Sequence, residues 1–397
     1  MTLSRRSALA AAALAGVPRM ASAQGPGIGG ALYDLVARYS ARPHHRTGTP
    51  EAAATLDWMD AELVARGARV ERRAYAFERY ENRASVSIDG RRVESLPLYY
   101  EGVGEIASEA PFLRPVTLAN NFDKADLAAA LREAAASGAA AAVFATFGRF
   151  GAEAPRPNLI AVNVDPDKRV SGIPTLLVSG EHLDALAGGS VFAGLSARRV
   201  PDRADNLVAR LGPADGAPIV VTTPLTGWFS CAAERGTGVA ITLELARDLA
   251  RTLPIVVVAT SGHELDNLGL RRLLADGMDD KPRAVVQLGA SVAAGIVGAG
   301  GVMRPAPLRL VASNRPLDAE SPLGRILMPA GFVAPPRFLG EGEVWSRHLG
   351  DATPLLSFAG AFPLFHTPGD VTVAPTSPAL LESAHRAVAE AMAVLLR

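Results

Sequence analysis

The chain has 397 residues, enough for two or more domains with sizeable cores. Lys+Arg and Asp+Glu both number 40, so the net charge is zero and gives no ground for electrostatic capture of nucleic acid or of an anionic membrane. The 29 Pro and 38 Gly fall between apolar periodic segments without forming a low-complexity tract, as in a folded globular protein.

Residues 1–23 read as an export signal. Ser4-Arg5-Arg6-Ser7 supplies a twin-arginine n-region, 8–17 a short apolar core, and Ala21-Ser22-Ala23 a small-x-small cleavage site. The apolar run is too short to anchor in a bilayer, so the expectation is a periplasmic or secreted protein with no membrane anchor after signal removal. The later Phe and Lys of a full twin-arginine pattern are missing, which leaves ordinary secretion open. Cys231 is the single cysteine, so no intramolecular disulfide forms and stability must come from the core or from a metal.

Segment 24–83 reads as the N-terminal part of a catalytic domain. Helices are predicted at 30–38 and 50–67, the second with Ala53, Leu56, Met59, Leu63 and Val64 on one face and Thr49-Pro50-Glu51 as a start signal. A strand follows at 69–75. Over 84–204 short β-like runs (84–88, 115–118, 141–144, 175–178) alternate with Ala-rich helix, as at 125–136. From 205 to 397 the pattern becomes strand–helix–strand: strands at 206–211, 218–223, 254–260, 284–288 and 308–312, helices at 238–252 and 377–396. Apolar strands without alternation imply a sheet covered on both faces, and chemistry in such sheets gathers at the strand C-terminal ends.

Four segments hold the candidate chemistry: Thr223-Pro224-Leu225-Thr226-Gly227-Trp228, Ala233-Glu234-Arg235-Gly236-Thr237-Gly238, Ser261-Gly262-His263-Glu264-Leu265-Asp266 and Phe365-His366-Thr367-Pro368-Gly369-Asp370. They concentrate His, Glu and Asp in a region otherwise poor in them. Plainer readings stand beside the functional ones. His263-Glu264 is not a His-Glu-x-x-His zinc helix, because Asn267 occupies the required position. Glu234-Arg235 can equally be a helix-start carboxylate with a surface partner. Glu341 and Glu343 line a pocket or cap a helix, and His44, His45 and His385 read as solvated.

The order of these segments, with His44-His45-Arg46-Thr47-Gly48-Thr49-Pro50-Glu51 near the start, resembles the co-catalytic zinc aminopeptidase and carboxypeptidase family, leucyl aminopeptidases included. Ile173-Pro174 and Gly180-Glu181-His182-Leu183 resemble the protease-associated domain that members carry as an insertion. The resemblance implies a three-layer α/β sandwich with a mixed, mostly parallel sheet and an inserted β-rich domain over 84–204. Carried over by position, Pro224 and Thr226 replace a histidine and an aspartate, Glu234 stands for the bridging aspartate and His263 for the base glutamate. Glu264 and His366 are retained ligands, and Gly289 replaces an aspartate ligand. What remains is one metal's set: Glu234, Glu264 and His366, enough for a single zinc with an open position.

The leading reading is therefore a hydrolase of reduced, single-zinc type cleaving an amide bond in a small peptide or amino-acid derivative. His263 serves as base, with Asp266 or Asp370 orienting an imidazole and Arg235 and Trp228 in the pocket. Trp228, Phe229 and Phe365 suit an apolar subsite. One alternative dispenses with metal: His263 beside Glu234 or Glu264 activates Ser230, Cys231, Thr226 or Ser261. The other is a non-catalytic binding protein on a peptidase scaffold.

Overall fold

The computed structural model describes residues 27–167, 172–278, 281–372 and 375–397; the expected export signal lies outside them. Among the described residues no helix is long and apolar enough to cross a membrane.

A nine-stranded mixed sheet forms the frame. Its main strands are β1 (Arg69–Ile88), β2 (Val191–Leu211), β3 (Ile219–Pro224), β4 (Ile255–Thr260), β5 (Ala284–Leu288), β6 (Leu308–Ser313) and β7 (Leu355–Ala361). They run in the order β6-β7-β5-β3-β4-β2-β1. β4, β3, β5 and β7 pair in parallel; β6, β2 and β1 add antiparallel edges. Every residue of β3, β4 and β5 is buried, as their largely apolar, non-alternating sequences require of strands covered on both faces. This is the expected mixed, mostly parallel α/β sheet.

The helices supply the covers. In α1 (Ile28–Tyr39) Leu32, Leu35, Val36 and Tyr39 recur at helical spacing and all are buried. Helices α2 (Pro50–Ala65) and α6 (Pro378–Leu395) both begin at a capping hydroxyl with proline in the first turn: Thr49 accepts from Ala52 N and Ser377 from Leu380 N. Helices α3 (Thr237–Leu249) and α4 (Leu268–Asp276) follow strands that carry candidate loops, and α5 (Glu341–Leu349) precedes β7.

The strand expected at 69–75 is longer than its sequence signal. Residues 69–88 pair without interruption with 191–210. Beyond residue 75 this ribbon is largely two-stranded and wet, so apolar contrast fades and cross-strand charge takes over, as in Arg79–Asp202 and Arg198–Glu81. At its far end stands a separate five-stranded sheet of Ser95–Pro97, Thr175–Ser179, Ala142–Arg149, Phe112–Ala119 and Arg156–Pro157, with its own core around Leu118, Leu131, Phe144 and Ile160.

Candidate functional site

Three of the four candidate loops leave the C-terminal ends of β3 and β4 or precede α3, and the fourth follows β7, so the sheet brings them to one edge. Tyr39 at the end of α1 fixes the first: its hydroxyl donates to Leu225 O at 2.8 Å and its ring stacks on His45 at 4.1 Å. His45 is fully buried, bonded to Thr55 Oγ1 at 2.8 Å and Ser230 O at 3.2 Å, and burial lowers it to about 3. The solvated reading of His45 is thus corrected: a neutral imidazole pins the segment before Cys231 to α2.

Cys231 is left-handed (φ 49°, ψ 41°), and a π-turn over Ala232–Gly236 follows, with Arg235 N and Gly236 N both bonded to Cys231 O. Such a one-residue expansion re-aims side chains and recurs at functional sites. Here it buries two consecutive charges, Glu234 and Arg235. Arg235 Nη2 lies 2.8 Å from Glu234 Oε1, both side chains 1% exposed, so the surface-partner reading of Arg235 is corrected too. Asp370 seats this turn: Ala233 N donates to its Oδ1 at 2.8 Å and Glu234 N to its Oδ2 at 3.0 Å. It thus caps a helix start and does not orient an imidazole. Burial pushes Asp370 up to about 8, with the two N–H bonds pulling down.

His366 also sits at positive φ (59°), stacks on Phe365 at 4.0 Å, and brings Nε2 to 3.3 Å from Glu234 Oε1. Burial opposes ionisation of Glu234, but His366 and Arg235 outweigh it and hold the carboxyl down at about 2. The five-stranded module clamps this loop and its neighbour: Asn121 donates to Phe365 O, Ala161 N to His366 O and Val164 N to Glu264 O. Backbone strain at Cys231, Asp266, Asn267 and His366 is thereby held by surrounding bonds.

On the third loop the two neighbouring residues diverge. His263 is 12% exposed and its Nδ1 lies 4.0 Å from Glu341 Oε1. Burial, then Arg235, pushes this imidazole well below its ordinary range, so it is neutral. Glu341, the first residue of α5, is fully buried, accepts from Thr260 Oγ1, and is raised to about 7 by burial. Glu264 faces elsewhere: Oε1 accepts from Thr47 N at 2.6 Å and Oε2 from Thr226 Oγ1 at 2.7 Å.

Glu234 and His366 therefore come together, and His263 joins Glu341, while Glu264 acts as a pin between the 47 and 226 segments. The 3.3 Å Glu234–His366 separation is what two ligands about 2 Å from one ion would show. The rest of the set does not fit zinc. Both oxygens of Glu264 are engaged, a guanidinium contacts the Glu234 oxygen an ion would use, and among the described residues no three His, Cys, Asp or Glu are grouped to hold a metal. A side chain at Gly289 would meet Phe358 O at 2.5 Å, so that position has no room for a ligand.

None of the four proposed nucleophiles is hydrogen-bonded to the His263 ring: Thr226 Oγ1 donates to Glu264 and accepts from His263 N, and Ser261 Oγ donates to Asp205 O. Cys231 is 1% exposed, donates to Glu234 Oε2 at 3.7 Å, and burial raises its thiol well above its usual range. Ser230 offers its carbonyl to His45. Trp228 is buried, donating to Asn163 Oδ1 at 2.7 Å. Asp266 is more exposed, 3.7 Å from Arg271 Nη2.

His263 and His366 both line two adjoining cavities. One, of 560 Å³, lies between the sheet edge and the five-stranded module, walled by Tyr99, Phe122, Asn163 and Arg271. The other, of 180 Å³, reaches toward Gly289, Glu341 and Phe365. Beneath them several buried polar atoms lack hydrogen-bond partners: Glu234 Oε1, both terminal nitrogens of Arg235, His263 Nδ1, Glu341 Oε2 and both ring nitrogens of His366. Such a cluster is costly unless it meets a ligand or water. Sequence reasoning weighed Glu341 only as a wall or cap residue; its signal, an acid at a helix start after Gly340, is common to ordinary caps.

No protein-family model matches the sequence, and no curated protein does. Solved structures do match in shape. A zinc aminopeptidase from Bacillus subtilis, BSAP, superposes with TM-score 0.67 at 17% identity, covering 93% of this chain and 95% of that one. A peptidase precursor from Shewanella amazonensis gives 0.62 at 16% (92% and 93% covered). An aminopeptidase from Aneurinibacillus gives 0.57 at 18% (92% and 93%). At these identities the likeness establishes the fold: this chain has the architecture of the zinc aminopeptidases over nearly its full length.

Proposed function

We propose that the protein is an exported hydrolase that cleaves an amide bond in a small peptide or amino-acid derivative, with 84–204 acting as a protease-associated module that shapes access to the cleft. The observation that carries this reading is a pair of imidazoles, His263 and His366, that line a 560 Å³ cavity with buried ring nitrogens lacking hydrogen-bond partners, His366 contacting Glu234 and His263 lying near Glu341. A neutral, partly exposed imidazole at the cavity wall is in the protonation state a general base needs. His263 takes a proton from water as the water oxygen bonds to the carbonyl carbon. The carbon–nitrogen bond then breaks, and the imidazolium returns the proton to the leaving amine. Glu341, behind the ring, steadies the imidazolium while it lasts.

A single-zinc hydrolase is the second reading, favoured by the 3.3 Å spacing of Glu234 and His366 and opposed by the other donors. The test is a panel of aminoacyl amides, dipeptides and N-acyl amino acids with purified protein. Turnover that falls by about 100-fold or more in His263→Ala, with circular dichroism unchanged, is expected. Absence of turnover across the panel, or activity indifferent to His263→Ala, overturns the proposal.

A further inference from the structure

We propose that the Arg235 guanidinium is a built-in cation occupying the place where a divalent ion would join Glu234 to His366, so that the site is metal-independent. The inference deepens the reading of this cleft as an active site, but its main readout does not require turnover. One oxygen, Glu234 Oε1, is approached by both Arg235 Nη2 at 2.8 Å and His366 Nε2 at 3.3 Å. An ion placed between that oxygen and that nitrogen would press a second positive charge against a guanidinium sealed from water, where repulsion is poorly screened. The arginine cannot shed its proton to relieve this.

The surroundings are built for the side chain. Arg235 Nε donates to Thr226 O at 3.3 Å. At Gly227 a Cβ would lie 2.7 Å from Cys231 Sγ and 3.7 Å from Arg235 Cγ, so the residue facing the arginine stem is one without a side chain. Neither terminal nitrogen has an aligned hydrogen-bond acceptor, so the tie to Glu234 is ionic, with Nη2 2.8 Å from Oε1. The carboxylate that would complete an ion's ligand set, Glu264, instead turns its two oxygens to Thr47 N and Thr226 Oγ1.

Zinc uptake measured by equilibrium dialysis and elemental analysis tests this in the full-length protein. The site-specific part is the uptake abolished by His366→Ala. Wild type and Arg235→Lys, which keeps a cation, are expected to show none, and Arg235→Met to bind zinc at least about tenfold more tightly than wild type. A wild-type protein that takes up one zinc, lost in His366→Ala, overturns the proposal. So does an Arg235→Met variant that keeps wild-type circular dichroism and gains no affinity, or Arg235→Lys gaining as much as Arg235→Met. Should Arg235→Met not fold, the wild-type and Arg235→Lys measurements decide. If the hydrolase reading alone fails, turnover is absent while this pattern of zinc uptake stands.

Discussion

Replacing Glu234 by glutamine removes the negative charge and keeps the shape, so no cavity confuses the result. At 2.8 Å and an effective dielectric of about 20, the Glu234–Arg235 attraction is about 6 kcal/mol before desolvation is subtracted. Both side chains are 1% exposed, so most of that gain is offset by the loss of water and the pair as a whole contributes little net stability. Breaking it is another matter, since the buried guanidinium keeps its charge with only neutral oxygens, an amide and the Thr226 carbonyl, in place of the carboxylate. Glu234→Gln should cost ~3–5 kcal/mol, whereas Glu234→Gln combined with Arg235→Met should lie close to wild type. Urea unfolding, followed by fluorescence of the buried Trp228 and Trp345 and by circular dichroism, gives the energies if the two probes coincide. A coupling of at least ~2 kcal/mol across the cycle is expected. Additive effects, or a single-variant cost below ~1 kcal/mol, would refute the view that these residues form one buried charge pair.

Glu341 supplies a pH test. Its carboxyl is raised from 4.5 to about 7, so between those values the folded state holds a proton the unfolded state has lost. Stability contributed at this site must therefore fall as pH rises through that window, by about 3 kcal/mol once complete, and Glu341→Gln should flatten that slope and be the more stable protein at pH 8. Equal pH slopes for the two proteins in thermal melts would contradict the assignment. Glu264→Gln should cost about 1–3 kcal/mol, because the charge-assisted hydrogen bonds from Thr47 N and Thr226 Oγ1 become neutral ones; no loss in urea midpoint would return Glu264 to the ligand role. Gly289→Ala should cost about 1–3 kcal/mol, since its Cβ meets Phe358 O at 2.5 Å, and a neutral Gly289→Ala would show that the position has room after all.

The frame was legible because its signals are local and redundant. Strands 255–260 and 284–288 are largely apolar runs, and helices 50–65 and 378–395 announce themselves by hydroxyl caps and first-turn prolines. Elements that escaped lack such signals. Leu355–Ala361 reads Leu-Leu-Ser-Phe-Ala-Gly-Ala, too small and mixed to announce a strand, and Glu341–Leu349 opens Glu-Gly-Glu with only three apolar residues in nine. At the site, sequence found the four loops but could not decide rotamers or partners. Glu264 adjoins His263 in the chain, yet its carboxylate turns to Thr47, 217 residues away. Nothing local to Arg235 says that a π-turn will draw it inward; a charged residue beside another charged residue at a helix start is ordinarily solvated.

The departures from a zinc-site donor pattern are mutually consistent in a way that isolated losses would not be. A free Glu264 in a buried loop would be an uncompensated charge, but Thr226 offers the hydroxyl that bonds it. A lone Glu234 would be another, but Arg235 and His366 contact the same oxygen. Glu264 is hydrogen-bonded and Glu234 is ion-paired without an added ion, whereas an added ion at Glu234 would sit against a buried guanidinium. What this interior leaves unmet is hydrogen-bonding capacity on buried Arg235 and on His263 and His366, the two imidazoles that line the cleft. A purely structural charge network has no reason to leave those groups open. The openness of the two imidazoles, which line both cavities, is the physical ground for expecting a polar ligand where the cavities adjoin.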